Sequence, residues 1–251
     1  MTNTYITIGS GSHKVIALHG WFGSAEDWRP LCEVLDQREF TYAFMDYRGY
    51  GGSKSISGKY TIAEISEDAI ALADKLGWER FSLVGHSMGG KVIQQILLDV
   101  PSRIRKLVAI TPVPASASPF DEQRWTFFSS AATDPAVRRA IIDLTTGKRL
   151  SGYWIEKMVA RSLQNSTVEA FATYLQAWAK TDFAEKVKGN PIPIKVIVGE
   201  NDPSLTAEVM TQTYLQWYPN AVLEQLSNAG HYPMDETPVS LATSIENFLR
   251  E

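Results

Sequence analysis

The chain has 251 residues, 44% of them hydrophobic and 21% charged, which is ordinary globular composition and enough for a large core. Its net charge is −4 with scattered basic residues, which excludes a nucleic-acid footprint, and no run approaches the roughly 18 apolar residues that a membrane span requires. Cys32 is the only cysteine, which excludes an internal disulfide and any multi-cysteine metal centre.

The start, MTNTYITIGS, has no basic patch leading into an apolar core, so no signal peptide is expected and a soluble, cytoplasmic protein is. YITI (5–8) and KVIALHG (14–20) read as a first pair of strands, with Gly9, Ser10, Gly11 and Ser12 as the turn between them. A helix follows over 25–36 and contains Cys32, read there as core packing. FTYAFMDY (40–47) is the next strand, and a helix spans 61–76. FSLVG (81–85) gives way to a helix over 88–99, and KLVAITPV (106–113) is again strand-like. IKVIVGE (194–200) and VLEQL (222–226) follow, with helices over 205–217 and 237–249. This alternation argues for an α/β fold: a mostly parallel central sheet with helices on both faces.

One region breaks the pattern. Residues 115–188 contain no convincing strand, only helical-looking sequence with ten aromatics: Phe120, Trp125, Phe127, Phe128, Tyr153, Trp154, Phe171, Tyr174, Trp178 and Phe183. TPVPASASP precedes it and GNPIP follows it. The expectation is a helical cap (115–188) inserted into a core formed by 1–114 and 189–251, lying over the strand ends where open α/β sheets bind ligands. Most of these aromatics pack the cap onto the core. Trp125, Phe128, Trp154 and Trp178, with Phe22 and Tyr232 from the core, are the candidates to line a cavity beneath it.

The stretch FSLVGHSMGGKVIQQILLDV changes from strand to helix at Gly85-His86-Ser87-Met88-Gly89. A serine there sits on a strained strand-to-helix turn, where the flanking positions must be small because the backbone passes close to itself. The turn lifts its oxygen above the sheet at a helix N-terminus, which favours developing negative charge.

Serine needs a base. His13 lies in the turn before a strand, His19 ends that strand, and His86 should point away from its neighbour Ser87. His231, in SNAGHYPMDETP, lies in a loop after a strand and can reach over the sheet. A lone loop histidine is ordinarily a solvated residue; elimination and placement reverse that reading. Its orienting carboxylate is expected from VIVGENDPS, with Asp202 first and Glu200 as the fallback, whereas Asp235 and Glu236 begin the final helix. For an oxyanion, the backbone N–H of Met88 and that of Trp21, in ALHGWFGS, are the two donors, with Gly20 allowing the close approach.

LHGWFGSAEDW, DYRGYGGS, GHSMGG, VGENDPS and NAGHYPMDETP together resemble, in order and spacing, the landmarks of the α/β-hydrolase superfamily. The likeness is nearest to small capped members: esterases, lactonases, haloperoxidase/perhydrolase-like enzymes and carbon–carbon bond hydrolases. The resemblance implies that Asp46, Arg48 and Gly49 form a structural turn. The N-terminus departs from it, with room for only one strand before KVIALHG, so a trimmed antiparallel edge is expected. Ser87 in place of an aspartate argues against dehalogenase and epoxide-hydrolase chemistry. The expected activity is hydrolysis of a carboxylic ester, thioester or lactone of a small, largely apolar substrate through an acyl-enzyme, without cofactor or metal. The alternatives are a carbon–carbon hydrolase of a diketone and a ligand-binding receptor that retains the triad; neither nucleic acid nor membrane is expected as a partner.

Overall fold

The computed structural model describes residues 3–251. Its seven strands are β1 (Tyr5–Gly9), β2 (His13–Leu18), β3 (Phe40–Met45), β4 (Phe81–His86), β5 (Ile104–Ile110), β6 (Ile194–Gly199) and β7 (Ala221–Leu226). They form one sheet in the order β1-β3-β2-β4-β5-β6-β7, in which only β1 runs antiparallel to its neighbour. Every residue of β3 and β4 is buried, as expected of central parallel strands covered on both faces.

The first two strands do not pair with each other, contrary to the sequence expectation. β3 lies between them, with Tyr5 opposite Met45 and His13 beside Phe40. The link from β1 to β2 passes over the start of β3, where Ser10 N–H donates to the Gln37 carbonyl and Gly11 N–H to that of Phe40. A Cβ at Gly11 would stand 1.9 Å from Glu39 backbone, so the glycines serve this crossing rather than a hairpin turn.

The first helical region is shorter than expected. Residues Ala25–Trp28 form a 3₁₀ turn and α1 (Arg29–Cys32) adds one α turn, with Pro30 at its start. Then come α2 (Ile62–Lys75) and α3 (Met88–Asp99), which match their sequence periodicity. Between β5 and β6 lie α4 (Glu122–Ser130), α5 (Pro135–Thr145), α6 (Gly152–Asn165), α7 (Val168–Lys180) and α8 (Ala184–Val187), with no strand among the described residues. Asp121, Asp134, Ser151 and Thr167 cap α4 to α7, each side chain accepting a first-turn N–H. The expected helix over 205–217 is two short ones, α9 (Ala207–Gln212) and α10 (Tyr214–Trp217), broken at Thr213. The chain ends with α11 (Pro233–Glu236) and α12 (Pro238–Arg250). None of these helices is long and apolar enough to cross a membrane.

The sheet places its business ends together. The segments after β2, β4, β5, β6 and β7 all leave from the carboxyl ends of parallel strands, and they carry Trp21, Ser87, Thr111, Asp202 and His231 respectively.

Candidate active site

Ser87 joins β4 to α3 at φ 52°, ψ −114°, a conformation that costs a non-glycine residue about 1–3 kcal/mol. The surroundings enforce it. Ser87 N–H donates to the Ile110 carbonyl (2.9 Å), and the Ser87 carbonyl accepts from Gly90 and Val113 N–H, both at 2.9 Å. A Cβ on Gly85 would lie 2.3 Å from the Gly89 carbonyl oxygen, and one on Gly89 would lie 2.3 Å from that of Leu18. Neither obstacle is a side chain that could swing aside, so the elbow requires both glycines.

His231 and Asp202 meet as the chain order suggested. His231 Nδ1 lies 2.7 Å from Asp202 Oδ2, and the carboxylate's other oxygen accepts from Ser204 N–H (2.9 Å) and Leu205 N–H (3.2 Å). Asp202 is 2% exposed, so its charge is spent on these partners rather than on water. An ionised carboxylate only accepts, so Nδ1 carries the proton; in a neutral ring that leaves the lone pair on Nε2. Glu200 takes a different place, with Oε1 accepting from the Asn228 N–H (2.7 Å) on an exposed loop.

The His231 loop is fastened by groups that the sequence reading did not assign. The His231 carbonyl accepts from His86 Nε2 (2.7 Å) and Thr111 Oγ1 (3.1 Å), and His231 N–H donates to the Thr145 carbonyl (3.1 Å). Glu236 grips the same loop: its two carboxylate oxygens accept from Gly230 N–H (2.8 Å) and Tyr232 N–H (2.9 Å), and it ion-pairs with Arg149. Asp235 pairs instead with Arg161 of α6, which also faces Asp27. These two carboxylates were expected to open the last helix; they stand in the separate turn α11, folded back onto the loop by Pro233 and Pro238.

The other histidines are structural. Burial holds His86 well below its ordinary pKa and brings His19 and His13 down to about 4. The His86 ring reaches the His231 loop through its Nε2. His13 is the first residue of β2 rather than part of the preceding turn, with Nε2 3.0 Å from Ser82 Oγ. His19 lies just past β2, stacked on Tyr47, and its Nδ1 donates to the Gly20 carbonyl (2.8 Å). Cys32 is half-buried, and burial pushes its thiol up to about 12, which suits packing and not attack.

Gly20 presses directly on the elbow: a Cβ there would come within 3.0 Å of Ser87 Cβ. Trp21 follows Gly20 in the chain. Its backbone is held by Tyr50 Oη donating to its carbonyl (2.9 Å), and its indole donates to the Phe171 carbonyl of α7 (2.7 Å). Met88, the first residue of α3, has no preceding turn to receive its N–H. Gly20 and Met88 thus border Ser87 from different elements.

The aromatic residues expected at a cavity fall in three places. Phe22, Phe128, Phe171 and Trp178 surround the Trp21 ring, at centroid distances of 4.8, 6.2, 4.2 and 5.7 Å. Trp154 packs edge-on against Tyr232 (5.9 Å), which in turn meets the His231 ring at 5.1 Å. Trp125 lines a different, open cleft of about 280 Å³ with Ser118, Phe120, Asp121, Glu122, Ala179 and Lys180. Asp46 and Arg48 are tied into turns: Asp46 accepts from Ala25 and Gly52 N–H, and Arg48 forms a two-bond pair with Asp68. Among the described residues, no group of three or more His, Cys, Asp or Glu side chains converges to hold a metal ion.

Residues 14–238 match the family defined by the alpha/beta hydrolase fold. The chain belongs to that family. It is an α/β-hydrolase enzyme, and its relatives are named for varied hydrolytic reactions. A candidate carbamate hydrolase of Caulobacter vibrioides is 34% identical over 102 residues, but that match spans only 40% of this chain and 38% of the relative. A 2-hydroxymuconate semialdehyde hydrolase of Pseudomonas putida is 29% identical over 82% of this chain and 75% of its own. A pimeloyl-[acyl-carrier protein] methyl ester esterase of Serratia marcescens is 26% identical over 97% and 96%. Among solved structures, an esterase from Exiguobacterium antarcticum superposes with a TM-score of 0.87 at 19% identity, covering 98% of this chain and 95% of that one. At that identity the likeness concerns the fold.

Proposed function

We propose that the α/β hydrolase cleaves a carboxylic ester, thioester or lactone of a small, largely apolar substrate through an acyl-enzyme on Ser87. The observation that carries this reading is the 2.7 Å contact of His231 Nδ1 with buried Asp202, taken with a serine held at a strained elbow. Ser87 Oγ adds to the substrate carbonyl as its proton passes to His231 Nε2, and the carbonyl π pair moves onto oxygen. The Trp21 and Met88 N–H groups receive that oxyanion; such donors contribute about 3 kcal/mol each. The carbonyl re-forms, the bond to the leaving oxygen or sulfur breaks, and His231 returns the proton to the leaving group. Water, deprotonated by the same nitrogen, then releases the acid. Asp202 orients the ring and stabilises the transient imidazolium. Phe22, Phe128 and Trp178 would meet an acyl group, with Trp154 and Tyr232 on the histidine side.

The test is hydrolysis of a p-nitrophenyl ester series, from short acyl to long and aromatic, by wild type and Ser87→Ala in parallel. Turnover that depends on acyl size and is lost in the alanine variant is expected; equal turnover by both proteins would overturn the mechanism. The Pseudomonas relative supports a second reading, cleavage of a carbon–carbon bond in a diketone by the same groups. Turnover of a vinylogous diketone, with inert esters, would select it.

A further inference from the structure

α3 carries a second unusual group one turn beyond the nucleophile. Lys91 is fully buried, and its ammonium donates to three backbone carbonyls: Ser116 at 2.9 Å, Trp178 at 2.7 Å and Thr181 at 2.7 Å. Three N–H donors meet three acceptors, a match that the ammonium makes and a neutral amine, with two donors, cannot. Burial brings its pKa down to about 7, against the pull of Asp182. A methionine would fill the same volume without that cost, so the polar contacts need an account of their own.

The acceptors explain it. Ser116 belongs to the segment leading into α4, and Thr181 to the link that leaves α7 for α8; these are the two roots of the α4–α7 cap. The roots are also bound to each other, through Ser118 N–H to the Ala179 carbonyl (2.8 Å) and Phe183 N–H to the Ala115 carbonyl (3.0 Å). Exposed Asp182 adds a second staple, accepting from Ala117 and Ala184 N–H, both at 3.1 Å. Trp178, whose carbonyl completes the ammonium's cage, stands 5.7 Å from the Trp21 ring and also packs on Phe120 and Phe128.

We infer that Lys91 is a positioning residue that sets acyl-group specificity, by holding both roots of the cap and the backbone of Trp178 on the helix that carries the nucleophile. The inference rests on Ser87 being that nucleophile. Lys91 touches no reacting atom. It fixes the distance between the pocket wall and the elbow, and a displacement of about 1 Å there costs on the order of 10²-fold in rate for groups that use the wall. Small acyl groups do not reach the wall and are spared.

The experiment measures kcat/KM across the p-nitrophenyl ester series for wild type, Lys91→Met, Asp182→Asn, Trp178→Ala and the Lys91→Met/Trp178→Ala pair. Lys91→Met is expected to lower kcat/KM for aromatic acyl groups at least about tenfold while acetyl changes by less than about threefold. In the Trp178→Ala background the same substitution should shift that ratio less than about twofold, because its route is already removed. Hydrogen exchange of segments 115–118 and 178–184 should accelerate in Lys91→Met relative to the sheet. A uniform loss across the series, or unchanged exchange at the roots, overturns the inference. If Lys91→Met does not fold, Asp182→Asn, altered on the surface, carries the test: it loosens the same roots and should shift the ratio in the same direction by about twofold to threefold. An unshifted ratio in that variant likewise overturns the inference. A wild type inert towards every ester refutes the ester reading instead, while the exchange comparison still reports on the clamp.

Discussion

His86 stands beside Ser87 but is a poor base, because its Nε2 donates to the His231 carbonyl and burial disfavours the protonated ring that a base must become. The proposed base is His231, and single-residue variants test the roles. Ser87→Ala and His231→Ala should each lower kcat on p-nitrophenyl esters by a factor on the order of 10⁴ or more, since the members of the proposed triad would act as a unit. Asp202→Asn keeps the shape but can hold the wrong tautomer, and should lose about 10³–10⁴-fold. Glu200→Gln is the control: its carboxylate serves an exposed turn, so kcat within about twofold of wild type is expected there, since surface groups away from a site have small effects. A severe loss in Glu200→Gln with a mild one in Asp202→Asn would exchange the two assignments.

At the scale of elements, the strand–turn–helix unit β4–α3 is held against β2 by the absence of side chains. In Gly89→Ala the new methyl would meet the Leu18 carbonyl oxygen at 2.3 Å and that of His19 at 3.0 Å, both backbone. The helix must retreat, at about 1–3 kcal/mol of overpacking, and the Met88 N–H retreats with it from the Gly20 loop. A fall in kcat of at least about tenfold with a lowered unfolding midpoint is therefore expected. Gly77→Ala is the comparison: φ is +68° with open space around it, so about 1 kcal/mol is lost to strain with kcat unchanged. Equal kcat values for the two variants would show that the elbow tolerates displacement. Much of this unit was legible in the sequence, because Gly-x-Ser-x-Gly lies where a short apolar strand gives way to a period of 3.6. The partner of β1 was not, since strand pairing is non-local and a glycine link serves a hairpin or a crossing equally well. Nor were Lys91 and Glu236 legible as fasteners: each acts on backbone groups of distant segments, and backbone acceptors leave no residue signature.

At the scale of the whole molecule, the sheet depends on buried histidines remaining neutral. His13 opens β2 against Phe40 and Ser82, 8% exposed, with its pKa brought down to about 4 by burial first, then by Arg105 and Lys106, while Glu39 opposes. Unfolded, the ring returns to its ordinary 6.5. Between these values the unfolded chain binds more protons than the folded one, so this group's contribution to stability is fully present above about pH 6.5 and is lost as pH falls towards 4. The slope is at most about 1.4 kcal/mol per pH unit. Asp235 has the opposite sign, since burial raises its pKa to about 6, but it is common to both proteins in a comparison with His13→Gln. Gln cannot take up the proton. Wild type should therefore lose stability relative to His13→Gln as pH is lowered from 7 to 5, a relative shift of about 2–4 °C in unfolding midpoint for each kcal/mol. Parallel midpoints across that range would mean that His13 protonates in the fold without cost.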